Sequence, residues 1–334
     1  MEARMSPVSL KTALGDHPHT QAVKDGTITP AGFTLDFVEV KPMIAAFRRM
    51  VRTLEFDVCE LAPTTYIAAR DAGVPLTALP VFLTRRFHHG DIVCRPGSGI
   101  AKPADLEGRR VGVRAYTVST GVWVRGILEN DYDVDLDSVT WVVDDEEHVE
   151  SYVLPSNVSF TPEGESIAGQ FHDGKIDAAL SGPAGIGRSG APTENWSIAG
   201  AGFEDARKPT DDFYPLFKDA RMLEKEWFDR TGIYPIHGLI ALKTDVVREH
   251  PNVVESLMRA FTEAKARVID DLVAGQGEGK EYDRYSEFAG IVGSDPLPYG
   301  IEANRATLES LCDSAVSQRI VAKRPEVDDL FICP

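Results

Sequence analysis

The stretch FDVCELAPTTYIAARDAG, residues 56–73, decides how the rest of the chain reads. FDVCEL has the length and apolar character of a strand. Pro63 stands where the first turn of a helix tolerates a residue without an N–H, and Gly73 stands where a helix ends. A strand that passes into a helix within a few residues is the repeating unit of a mostly parallel sheet with helices on its faces.

The same alternation runs outward in both directions. Upstream, SLKTAL reads as a strand, FTLDFVEV as a second strand with period-two alternation, and KPMIAAFRRMVRTL as an amphipathic helix. Downstream, LTALPVFL is a further strand. A second unit opens near GIAKPADLEGRRVGVRAY. Its strand RVGVRAY leads into the helix VSTGVWVRGILENDY, then come strands at VTWVVDD and IDAALSG and a loop at GPAGIGRSGAP. TGIYPIHGLIALKTDVV turns back through a strand, and the remainder is mostly helical. The expectation is an α/β protein of two lobes, each a mostly parallel sheet flanked by helices. Residues 1–108 and 234–334 build the first lobe and residues 109–233 the second, with crossings near 106–110 and 231–237.

A chain of 334 residues suits two such lobes. Lys and Arg number 35 against 52 Asp and Glu, a net charge of −17, which repels nucleic acid and anionic membrane surfaces. No segment is apolar enough to span a bilayer, and the N-terminal stretch has no apolar run of signal-peptide length. The four cysteines form no CxxC pair, so free thiols in a reducing cytoplasm are expected. The helical C-terminal third could form a homo-oligomer interface or brace the first lobe; the brace is the reading adopted.

In open α/β sheets ligands bind beyond the carboxyl ends of the strands, where helix N-termini present N–H groups to anions. Three such places carry hydroxyls: Thr64 and Thr65, Thr117 and Ser119, and Ser181. For any one of them an ordinary N-cap is the plainer reading. Three together, in both lobes, point to a grip on a carboxylate. Four of the eight histidines form two groups, His17/His19 and His88/His89, whose spacing matches no HExxH-type motif, so a metal is not favoured. TRRFHH puts Arg85, Arg86, His88 and His89 directly after an apolar strand, which favours a crevice wall over a solvated basic loop. Phe87 and Tyr116 are placed to flank an aromatic ring, Trp123 reads as core, and His237 reads equally as a hydrogen-bonded core histidine.

Taken together, EFDVCELAPTTYIAAR, PVFLTRRFHH, GIAKPADLEGRRVGVRAYTVSTGVWVRGIL, RTGIYPIHGLIALKTDV and PYGIEANRATLE resemble the 4,5-dihydroxyphthalate decarboxylase family. The resemblance implies a two-lobed clamshell of the type 2 periplasmic-binding-protein-like superfamily, with a small aromatic carboxylate held between the lobes. It also implies non-oxidative loss of CO2 from a hydroxylated aromatic acid. Arg85 and His89 stand where the family carries Arg and His in an S-R-x-F-R-H run. Tyr299, Glu302, Asn304 and Arg305 stand on its P-Y-G-x-E-A-N-R motif. The chain departs where the family has G-D-Y-D-R-T: here the run is G-D-H-P-H-T, so His19 replaces an arginine, and His88 replaces another. A bidentate arginine grips a carboxylate better than a histidine, so a monocarboxylate, or a substrate with a neutral second group, is expected.

Such a reaction needs no cofactor but does need a general acid near neutral pKa, and His89 or His237 is the expected proton donor. Arg85 anchors the carboxylate; Thr65, Thr117, Ser119 and Ser181 supply further contacts, and His17 and His19 shape the rim. Two other readings share the fold: a solute-binding protein that captures a small carboxylate without catalysis, and a cofactor-precursor enzyme of the thiamine-pyrimidine type. The latter is disfavoured because no matching cysteine-rich or PLP-type lysine motif is present.

Overall fold

A computed structural model describes residues 6–187 and 212–334. The chain divides into two compact units. The first takes the chain up to Arg86, returns for Gly232–Glu309 and ends with Pro325–Pro334; the second is Phe87–Thr231 with Ser310–Arg324.

The first unit opens with β1 (Val8–Ala13), α1 (Pro18–Lys24), β2 (Phe33–Phe37), α2 (Ile44–Thr53), β3 (Val58–Leu61), α3 (Pro63–Asp71) and β4 (Leu76–Phe82). All four residues of β3 are buried, as a strand covered on both faces requires. Pro63 occupies the first turn of α3, and Gly73 follows it at φ 79°, a backbone setting that side chains resist. The sheet order is β2-β1-β3-β11-β4, where β11 (Leu239–Lys243) is the returning strand. β1 pairs parallel with β2 and β3, and β11 runs antiparallel to both its neighbours. Opposite Leu239 and Ile240 the register of β4 slips from Phe82 to Leu79, placing Pro80, which has no N–H to donate, in a bulge. The Pro80 carbonyl instead accepts the Gly300 amide at 2.8 Å, which docks the segment carrying Tyr299 onto this sheet.

The second unit holds β5 (Ile92–Cys94), β6 (Arg110–Gly112), α4 (Ser119–Tyr132), β7 (Thr140–Val143), β8 (Val158–Phe160), α5 (Ile167–His172), β9 (Ala178–Leu180), β10 (Tyr214–Pro215) and α6 (Ala220–Thr231). The sheet order is β10-β5-β9-β6-β7-β8, parallel from β9 to β8, with β5 antiparallel to both β9 and β10. After β11 come α7 (Thr244–Glu249), α8 (Val253–Ala274), α9 (Lys280–Val292), α10 (Arg305–Ser317) and α11 (Val327–Leu330). Helix α8 buries Val253, Val254, Leu257, Ala260, Phe261, Ala264 and Val268, one face at helical spacing. The residues from Val253 to Ala264 pack with Leu10, Val58, Leu79, Val81, Ile240 and Leu242 of the first sheet, and Val268 packs with Tyr285 and Leu297.

The first boundary falls at Arg86, earlier than the 106–110 crossing expected from sequence, because β5 pairs into the second sheet. The end of α10 also leaves the first unit: Gln318 accepts from Arg125 Nε at 2.8 Å and donates to the Val122 carbonyl at 2.9 Å. The polar stretch after residue 154 hides an edge strand, β8, whose half-exposed residues lack a clear apolar pattern. The expected loop of residues 182–192 is described only to Gly187, and its remainder lies outside the described residues. Among the described residues no helix is long and apolar enough to cross a membrane.

Candidate active site

Each sheet has a point where successive connections leave in opposite directions, and in open α/β sheets that point receives the ligand. In the first unit the order β2-β1-β3 puts it between β1 and β3. The chain leaving β1 carries His17 and His19, and the chain leaving β3 carries Thr64 and Thr65. In the second unit the order β9-β6-β7 puts it between β6 and β9. There β6 runs on to Tyr116, Thr117 and Ser119, and β9 to Ser181.

At the first point a carboxylate is buried. Glu60 Oε2 lies 2.9 Å from His17 Nε2 and accepts the Gly15 amide at 3.0 Å. The seat is narrow. A methyl group on Gly15 would stand 2.9 Å from Glu60 Oε2, and one on Gly238, beside His237, would stand 3.3 Å from Glu60 Oε1. Burial opposes charge on both partners. Their mutual attraction, with the Gly15 amide, outweighs it: His17 is held above its ordinary pKa and Glu60 below its own.

His19 is shifted the other way. It is fully buried, its Nδ1 is 3.1 Å from the Tyr285 hydroxyl, and its ring lies edge-on to Tyr299. Burial, then the positive charges of His17, Lys265, Arg284 and Arg85, push it well below its ordinary pKa, so it is neutral at pH 7. Its Nε2 and the Tyr299 hydroxyl are buried without hydrogen-bond partners among the described residues. A buried hydroxyl without a partner contributes no stability. Tyr299→Phe is therefore expected to leave the melting temperature unchanged or slightly raised; if the hydroxyl contacts substrate, KM rises several-fold in the same variant. Thermal unfolding and steady-state kinetics on one preparation check both.

Arg85 is buried beside this cluster. Nη1 donates to the Tyr234 carbonyl at 2.9 Å; Nη2 donates to the Pro298 carbonyl at 3.1 Å and to Asn304 Oδ1. A carboxylate would have to compete with these acceptors. Burial lowers its pKa to about 10, which leaves it charged at neutral pH. The P-Y-G-x-E-A-N-R segment thus splits. Tyr299 and Asn304 turn inward, whereas Glu302 and Arg305 pair with each other at the surface, and Arg305 also donates to Asp328 at 2.9 Å. His237 donates its backbone N–H to the Thr84 carbonyl at 2.7 Å.

In the second unit His88 Nδ1 lies 2.7 Å from Asp91, and its ring is stacked 6.5 Å from buried Trp123. His89 packs edge-on against Phe217 and Trp227, and Phe87 against Trp227 and Phe228. The neighbours of Phe87 are protein rings in a buried setting, rather than an open face for a ligand. Glu147 accepts the Tyr116 amide at 2.5 Å, the Thr117 amide at 3.1 Å and the Thr117 hydroxyl, which pins the approach to α4. The Ser181 amide donates to the Asp91 carbonyl at 2.8 Å, and Ser181 Oγ is buried without a partner among the described residues. The N-caps of α3 and α4 are Ala62 and Val118, so Thr64, Thr65 and Ser119 lie inside the first turns rather than at the caps. Among the described residues no group of three His, Cys, Asp or Glu side chains could hold a metal ion.

Sequence reasoning missed Glu60, Tyr285, Asp91 and Glu147. Glu60 had a signal, a charged residue inside a wholly buried strand. Tyr285 had none, since it reaches His19 from 266 positions away.

The NMT1/THI5 like family matches residues 31–166. A 4,5-dihydroxyphthalate decarboxylase of Comamonas testosteroni is 29% identical over 339 aligned positions, covering 98% of this chain and 97% of that protein. Another, of Pseudomonas putida, is 34% identical over 184 residues, which cover 53% of this chain and 71% of that protein. Among solved structures, the alkanesulfonate-binding protein SsuA of Xanthomonas axonopodis pv. citri bound to MOPS matches with a TM-score of 0.56 at 14% identity, covering 99% of this chain and 100% of that one. The periplasmic aliphatic sulphonate binding protein SsuA of Escherichia coli matches with a TM-score of 0.54 at 13% identity, covering 98% of each chain. These structures establish a shared fold.

Proposed function

The chain belongs to the 4,5-dihydroxyphthalate decarboxylase family and is a carboxy-lyase, and on that premise we propose that it releases CO2 from a hydroxylated aromatic carboxylic acid without oxidation, a histidine protonating the ring carbon. A hydroxyl ortho or para to the carboxylate feeds electrons into the ring, so the reaction balances with one proton and no redox partner. The observation that supports this reading most is the meeting of His17, His19, Arg85 and Tyr299 around a buried polar cluster where the first sheet's connections diverge.

The same cluster narrows the substrate. The buried, neutral His19 suits a hydroxyl or other uncharged group better than a second carboxylate. We therefore favour a hydroxylated benzoate over a phthalate, acted on in the cytoplasm by a protein whose net charge of −17 does not suit nucleic acid or anionic membranes.

Headspace CO2 and loss of ultraviolet absorbance, followed across hydroxylated benzoates and phthalates, test the proposal. The expected result is turnover of a hydroxylated benzoate with higher kcat/KM than its phthalate counterpart. Tight binding without turnover across the panel would instead support the solute-capture reading, which the likeness to sulfonate-binding proteins keeps in view.

A further inference from the structure

Resting on the reading that a histidine protonates the ring carbon, the geometry points to His17, with Glu60 behind it, as that donor. The pair sits where the connections of β1 and β3 diverge. Nε2 of His17 is committed to Glu60 at 2.9 Å, while Nδ1 has no hydrogen bond among the described residues. A carboxylate on one ring nitrogen and an open second nitrogen is the arrangement by which an imidazole is oriented and kept ready to give up a proton. The His17 side chain keeps 14% of its surface exposed, whereas that of His88, in the buried pair with Asp91, keeps none.

The charges facing His17 agree with this role. Glu60 comes from β3, Glu281 from α9 and Asp16 from the preceding turn; against them stand Lys24 on α1 and the neutral His19. The balance keeps the imidazole protonated further into the neutral range than an isolated histidine. His19 is held neutral and cannot supply a proton as imidazolium; it serves as a hydrogen-bonding wall.

In the step itself the Nδ1–H bond of His17 breaks as a bond forms between that hydrogen and the carboxylate-bearing ring carbon, and the ring hydroxyl stabilises the positive charge this leaves. The bond to the carboxylate then breaks, its electron pair restores the aromatic ring, and CO2 departs. His17 is left neutral with Nε2–H still on Glu60, and takes a proton from water before the next turnover.

The test compares wild type, His17→Asn, Glu60→Gln and His172→Asn, a change at an exposed histidine of α5, on whichever acid of the panel wild type decarboxylates. His17→Asn is expected to lower kcat by about 10²–10⁴-fold with KM little changed. Glu60→Gln removes what raises the His17 pKa, so the fall of kcat at high pH should move to lower pH by about one unit. His172→Asn should leave that limb where it is. Full turnover by His17→Asn, or an unmoved alkaline limb in Glu60→Gln, overturns the assignment while leaving the decarboxylase reading intact. If His17→Asn does not fold, the Glu60→Gln profile decides alone. No CO2 from wild type across the whole panel overturns the functional reading and this assignment with it.

Discussion

Arg85→Ala is expected to destabilise the protein by about 3–5 kcal/mol and to loosen the segment carrying Tyr299. The guanidinium is buried and holds three acceptors, the carbonyls of Tyr234 and Pro298 and the side chain of Asn304. It also lies 5.3 Å from the Phe82 ring centre and 4.9 Å from that of Tyr234. Each buried acceptor left alone costs about 1–3 kcal/mol, and water entering the vacated space recovers part of that. Asn304 is itself bonded to the Pro298 and Gly300 carbonyls, so the loss spreads through the whole turn. Arg85→Met separates the two contributions: it restores bulk but not donors, and should recover less than half of the lost stability. Arg85→Lys should fall between, because one ammonium cannot reproduce the planar fork. Denaturant unfolding of the three variants measures the series; an alanine variant within about 1 kcal/mol of wild type would refute the account.

That placement also shows where sequence reading reaches its limit. The alternation around residues 56–73 was enough for β3, α3 and β4, because a buried strand and a Pro-to-Gly helix leave local marks. It could not place β11 between β3 and β4, since antiparallel insertion of a distant strand leaves no local trace. For the site, the basic run after the fourth strand was legible as unusual, yet its members separate: Arg85 belongs to the first unit, His88 and His89 to the second. The histidines at 17 and 19 differ by two positions in sequence and are shifted in opposite directions in the fold. Glu60 of β3 faces one, while burial and the positive charges of His17, Lys265 on α8, Arg284 on α9 and Arg85 after β4 act on the other. Spacing along the chain carries none of that information; only the sheet order and the helices packed on it do.

The second large effect is expected at Glu147. Its carboxylate takes the Tyr116 and Thr117 amides and the Thr117 hydroxyl, at the bend between β6 and α4. Glu147→Ala leaves two buried amides without this acceptor, at about 1–3 kcal/mol each, so a loss of roughly 2–6 kcal/mol is expected. The backbone here is braced from the other side by Arg125, which donates to the Tyr116 carbonyl at 2.6 Å and stacks 3.9 Å from its ring centre. The segment should therefore loosen locally before the unit unfolds, and amide hydrogen exchange at residues 116–119 should rise more than at β7 or β9. Glu147→Gln keeps one acceptor oxygen and should cost about half as much. The wild-type carboxyl is raised above its ordinary pKa, by burial first, with the amides and Thr117 only partly offsetting it. A raised carboxyl is destabilising when ionised, so this residue's contribution improves as pH falls through the folded pKa, and the amide variant should lack that pH dependence. Stability curves of wild type and Glu147→Gln between about pH 4 and 7 should lie closest at the top of that range and move further apart, in favour of wild type, toward the bottom. Parallel curves would mean that the carboxyl is not raised at all, and that the hydrogen bonds alone set its worth.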